Sequence, residues 1–112
     1  MIDEAVLSEL KASLGDDDGV MKQLIDMYLT DAPKLVGNAK DALAKSDKEI
    51  LARSAHSLKS TSATMGAMKV SVAAKELETL ARAGNFAASA GVLSRLETEL
   101  AGALDALRNK SP

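Results

Sequence analysis

Residues 49–67 read Glu49-Ile50-Leu51-Ala52-Arg53-Ser54-Ala55-His56-Ser57-Leu58-Lys59-Ser60-Thr61-Ser62-Ala63-Thr64-Met65-Gly66-Ala67. Set on a helical wheel at about 100° per residue, they divide into two unlike sides. Leu51, Ser54, Ala55, Leu58, Thr61, Ser62 and Met65 share one side, apolar or small throughout, which predicts a face turned to a core. His56, the single histidine of the chain, falls almost directly opposite and is expected to point to solvent. Its stripe holds Glu49, Ala52, Ser60, Ala63 and Ala67, and Arg53 and Lys59 flank it a turn to either side.

The same periodicity extends outward in both directions. Asp47 predicts the cap of this helix and Gly66 its end. Upstream, Asp3 predicts the N-cap of a first helix that carries Val6, Leu7, Leu10 and Leu14 on one stripe and stops at Gly15. Asp16-Asp17-Asp18-Gly19 reads as a turn whose carboxylates suit the start of the next helix. As a calcium loop it fails, because the glycine and the distal glutamate fall at the wrong spacings. The following helix carries Val20, Met21, Leu24, Ile25, Tyr28 and Leu29. Pro33 interrupts that pattern and predicts a separate segment from near Ala32 through Leu35, Val36, Ala39 and Leu43 to Ser46.

Beyond Gly66 and Ala67, Val70, Ala73, Ala74, Leu77 and Leu80 define a further helix ending at Gly84-Asn85. A last one starts near Phe86 and lines up Leu93, Leu96, Leu100, Leu104 and Leu107. No stretch reads as a strand, a low-complexity segment or a repeat. Short connections predict antiparallel neighbours. The expected fold is all-α, one domain over residues 1–112: an antiparallel up-and-down four-helix bundle with a short additional N-terminal helix.

Composition supports helices and excludes several functions. The 112 residues contain one Phe, one Tyr and no Trp, so the core must come from aliphatic side chains and alanine, which suit close helix packing. Lys and Arg number 14 against 16 Asp and Glu, without the basic footprint of a nucleic-acid binder. Absence of cysteine excludes disulfides and thiolate metal sites, and one histidine does not make a zinc hydrolase. Met1-Ile2-Asp3-Glu4 is acidic where a signal peptide is basic, and no apolar run has the length of a membrane span. A cytoplasmic, free-standing monomer is expected, with no cofactor and no membrane partner.

The surroundings of His56 are unusual for an exposed helix face, which ordinarily bears long charged side chains. Here the imidazole stands among small residues, with Glu49 at the edge. That leaves its nitrogens open and offers a shallow surface, built from Ala52, Arg53, Ser60, Ala63 and Ala67, on which another protein can sit. An imidazole in water is largely neutral at pH 7 and nucleophilic. Lys59 sets a positive charge where it can hold the oxygens of a group attached to the ring. Taken singly, a surface histidine, a surface lysine and a few helical alanines are ordinary; the joint pattern carries the reading.

The run from Ala55 to Ala67 resembles the signature of histidine-containing phosphotransfer (HPt) domains, roughly A-H-x-L-K-G-x-x-x-x-x-G-A. Tyr28-Leu29, Ala32-Pro33, Asp47, Leu77-Glu78 and Arg82-Ala83-Gly84-Asn85 are also similar, so the resemblance covers residues 18–107. It implies a four-helix bundle in which His56 is the phosphoryl carrier, Lys59 its electrostatic partner and Gly66 a close-packing position. It implies exchange with an aspartate on response-regulator receiver domains, which supply Mg²⁺ and most catalytic groups, in a relay that includes a hybrid sensor histidine kinase.

Ser60 departs from the pattern, standing where the family usually has glycine. Its hydroxymethyl group is expected either to crowd a docking receiver or to hydrogen-bond a ring nitrogen. The chain has neither room for an ATP-binding domain nor a G-x-x-x-x-G-K-[ST] run, so it is read as a carrier, not an enzyme. Two other readings stand beside this one. The first is a helical adaptor that binds receivers without accepting phosphate. The second is a structural domain dimerising through the Leu93 to Leu107 stripe, although such a stripe in a bundle normally faces inward.

Overall fold

Side-chain caps begin most of the helices. The computed structural model describes residues 2–110, and in it Asp3 accepts from the Ala5 and Val6 amides at the start of α1 (Glu4–Ser13). Asp17 does the same for Gly19 and Val20 in α2 (Asp18–Ala44). Asp47 accepts from Ile50 in α3 (Lys48–Thr64), and Asn85 from Ala88 in α5 (Phe86–Arg108). Only α4 (Met68–Arg82) starts without one, at Ala67. Each cap satisfies amides that have no intrahelical partner, worth about 1 kcal/mol apiece.

The helices α2, α3, α4 and α5 pack in a closed ring, α2 on α3, α3 on α4, α4 on α5 and α5 back on α2. Tight connections at residues 45–47, 65–67 and 83–85 make neighbours antiparallel. The molecule measures 42 × 20 × 19 Å, and its long dimension is set by α2, since 27 residues at 1.5 Å each span about 40 Å. The core is aliphatic: Leu51, Leu58, Leu77, Leu96 and Leu107 are completely enclosed. Leu93, Leu100 and Leu104 are also buried, so the α5 stripe is core and not an open dimer face. Among the described residues no helix is long and apolar enough to cross a membrane.

One expected helix boundary is absent. Pro33 does not divide α2, which runs unbroken through it. Proline removes the hydrogen bond to the Leu29 carbonyl and costs about 3 kcal/mol in a helix interior. Yet Tyr28, Ala32, Val36 and Ala39 form one buried stripe on both sides of it, while Pro33 itself faces solvent. Packing of that stripe outweighs the lost bond.

The leading helix is tied to the turn between α3 and α4. The Asp3 amide donates to the Gly66 carbonyl at 2.8 Å. Gly66 has φ +75, and a Cβ placed there would stand 2.8 Å from the Asp3 carbonyl oxygen. Gly66 is thus a close-packing position, and its contact is the backbone of the N-terminal segment.

Candidate functional site

Small residues let α3 and α4 approach closely. Ala55 on α3 and Ser71, Ala74 and Ala81 on α4 are buried, and the Ser71 hydroxyl donates across the contact to the Lys59 carbonyl at 2.9 Å. Glu78 lies on the same buried stripe of α4 and is only 8% exposed. A carboxylate held there must be compensated. Oε1 accepts from Lys59 Nζ at 2.9 Å, and Oε2 from Arg82 Nη2 at 2.7 Å and Nε at 3.2 Å. The Nδ1 of His56 stands 3.0 Å from the same Oε2.

Burial pushes the Glu78 carboxyl up, but the hydrogen bonds from Arg82, Lys59 and His56 and the Lys59 charge outweigh burial and hold it at about 2. Glu78 is therefore ionised at neutral pH and can only accept. It follows that Nδ1 of His56 is the donor, and that a neutral ring carries its lone pair on Nε2. More than half of the imidazole side chain is exposed, 55%, so this lone pair is offered to solvent.

The structure brings some of the expected site residues together and separates others. Arg53 and Ser60 are exposed and Ala63 is half-buried on the histidine side of α3. Ala52 and Ala67 are not part of that surface, being 2% and 0% exposed. The wheel put the centre of the core directly opposite His56, but α4 lies over the Ala52 and Lys59 side, so the exposed arc of α3 is rotated toward Arg53, Ser60 and Thr61. Thr61, expected in the core, is accordingly exposed. Ala67 leaves the wheel altogether, because α3 ends at Thr64 and the positive φ of Gly66 turns the chain. The Ser60 hydroxyl makes no bond to the ring among the described residues.

Sequence reasoning missed what Glu78 and Arg82 do. The signal was present. Val70, Ala73, Ala74, Leu77 and Ala81 mark the buried stripe of α4, and Glu78 sits on it. An acidic residue in such a place needs cationic partners, and Arg82 one turn on and Lys59 across the interface supply them. Arg82 also joins Glu49, Arg53 and His56 around a shallow open basin between α3 and α4.

The match to the Hpt domain family spans residues 23–110. Among solved structures, the chain is similar to the crystal structure of histidine-containing phosphotransfer protein B (HptB) from Pseudomonas aeruginosa PAO1. That similarity has a TM-score of 0.90 and 27% sequence identity, and it covers 98% of this chain and 93% of that one. No curated protein matches by sequence. The family match extends over well more than half of the sequence and coincides with the ring of helices around His56; the chain belongs to the Hpt domain family of histidine phosphotransfer proteins.

Proposed function

We propose that His56 accepts a phosphoryl group from the aspartate of one receiver domain and passes it to another. The observation that carries this reading is the hydrogen bond from Nδ1 to Glu78. It fixes the ring, holds the proton on the nitrogen nearer the backbone and leaves Nε2 free to attack.

In the forward step the Nε2 lone pair forms a bond to phosphorus. The P–O bond to the receiver's aspartyl carboxylate breaks, and its electrons stay on that carboxylate. No proton needs to move. Nδ1 keeps its hydrogen, and the positive charge that develops on the ring is met by the Glu78 carboxylate 3.0 Å away. Lys59, with its ammonium on the other carboxylate oxygen, keeps Glu78 ionised and aligned. Handing the group on to a second aspartate is the same reaction reversed. Docking of the receiver over Arg53, Ser60 and Ala63 makes the transfer effectively intramolecular, which supplies most of its rate.

The test is to incubate the protein with a phosphorylated receiver carrying labelled phosphate. The expected product holds label that is lost in acid and kept in alkali, and His56→Gln abolishes it. Receiver binding that persists in His56→Gln, with no label on the unaltered protein, would favour the adaptor reading instead.

A further inference from the structure

We infer that the phosphoryl group carried by His56 rests in the basin between α3 and α4, its oxygens held by the guanidinium groups of Arg53 and Arg82 and not by Lys59. This rests on the reading of His56 as the carrier.

Because Nδ1 is committed to Glu78, a group on Nε2 lies on the opposite edge of the ring, away from the buried carboxylate. His56 borders the basin with a side chain 55% exposed, and Glu49, Arg53 and Arg82 are the other residues around it. Lys59 is not among them, and its ammonium is bound to Glu78 Oε1. Arg53 is exposed and has no ion-pair partner among the described residues. Arg82 donates to Glu78 through Nε and Nη2, which leaves Nη1 to donate elsewhere, and its side chain is 63% exposed.

Two guanidinium groups reaching from adjacent helices match the three oxygens of a phosphoryl dianion, for which arginine is well suited. Glu49 is the opposing charge. Removing it is expected to favour the bound anion.

Phosphoramidate tests this without any receiver. The Nε2 pair forms the new P–N bond while the P–N bond of the reagent breaks; its electrons stay on the reagent nitrogen, which is already protonated in the phosphoramidate zwitterion and leaves as ammonia. Arginine Nε–Hε and lysine Nζ signals are followed by ¹H–¹⁵N NMR before and after labelling. The Arg53 and Arg82 signals are expected to move and the Lys59 signal to stay. Arg53→Gln is expected to slow labelling on the order of two- to fivefold, the range for an exposed charge-assisted contact, and Glu49→Gln to quicken it. Label on His56 with unmoved arginine signals overturns the basin and leaves the carrier intact. Failure of His56 to take label at all overturns the carrier reading, and the basin falls with it.

Discussion

Nδ1 of His56 on α3 and Oε2 of Glu78 on α4 stand 3.0 Å apart, and the same oxygen also receives the Arg82 guanidinium. One buried carboxylate thus orients the imidazole and anchors the cations of Lys59 and Arg82. Since Glu78 belongs to the packed stripe of α4, the position of the imidazole is referred to the core of the bundle and not to its surface. A side chain that is itself largely in solvent gains a rigid direction by this means.

Removing that anchor should impair transfer without unfolding the protein. In Glu78→Ala the ring loses its acceptor, Nδ1–H is no longer the favoured tautomer, and Lys59 and Arg82 face each other without an anion between them. Transfer from a phosphorylated receiver is expected to fall at least tenfold, since a hydrogen bond to a charged group is worth about 1.5–3 kcal/mol. Glu78→Gln keeps an acceptor oxygen and should recover part of the rate. Imidazole ¹⁵N spectra should show the Nδ1–H tautomer in the unaltered protein and a mixture in Glu78→Ala. Equal rates in all three proteins would remove Glu78 from the mechanism.

Stability should depend on pH through the same carboxylate. Its folded pKa of about 2 lies below the usual value of 4.5, so the unfolded chain takes up the proton first as pH falls. The stabilisation is complete above the unfolded value and is lost as pH drops from about 4.5 toward 2. A shift of this size corresponds to about 3 kcal/mol. Urea unfolding at pH 6 and pH 3 checks it: Glu78→Gln should lose less stability over that interval than the unaltered protein. Parallel losses would show that other carboxylates dominate.

Much of the bundle is legible in the sequence because its helices carry local signals. Asp3, Asp47, Asn85 and the leucines of α5 act within their own segments, and those segments end where the residues say. Pro33 misleads because its cost is local while the compensation from Tyr28, Ala32, Val36 and Ala39 is tertiary. His56 and its exposure follow from a wheel drawn on one helix. Ala52, Thr61 and Ala67 do not, since a wheel knows neither on which side a second helix will lie nor where the chain turns. Glu78 shows the same limit from the other side: its oddity is visible in α4 alone, but its role exists only once α4 is laid on α3.

Gly66 offers a comparison with Gly84 that separates strain from contact. Both have positive φ, +75 and +73, but a Cβ at Gly84 meets nothing within 4 Å. Gly84→Ala should therefore cost about 1 kcal/mol, the penalty of a left-handed alanine. Gly66→Ala adds a clash with the Asp3 backbone and should also displace the start of α1, weakening its hydrogen bond from the Asp3 amide. Thermal unfolding should rank Gly66→Ala below Gly84→Ala, with faster amide exchange in α1 for the former alone. Equal losses would mean that the contact with Asp3 contributes nothing.

Ser60 lies one turn beyond His56 on α3, exposed, with its hydroxyl free of the ring. The ring is already oriented by Glu78, so the hydroxyl is not needed for that purpose and its influence must be steric. Ser60→Gly should leave phosphoramidate labelling of His56 unchanged and destabilise the helix by about 0.5 kcal/mol, while transfer from a receiver stays equal or rises. Ser60→Leu should do the converse: the small reagent still reaches Nε2, but a receiver docking on this face meets a bulky side chain and transfer drops severalfold. The contrast between the two donors is the informative quantity. If Ser60→Leu slowed both alike, the substitution would be acting on the ring, and the docking surface would have to be sought elsewhere on the bundle.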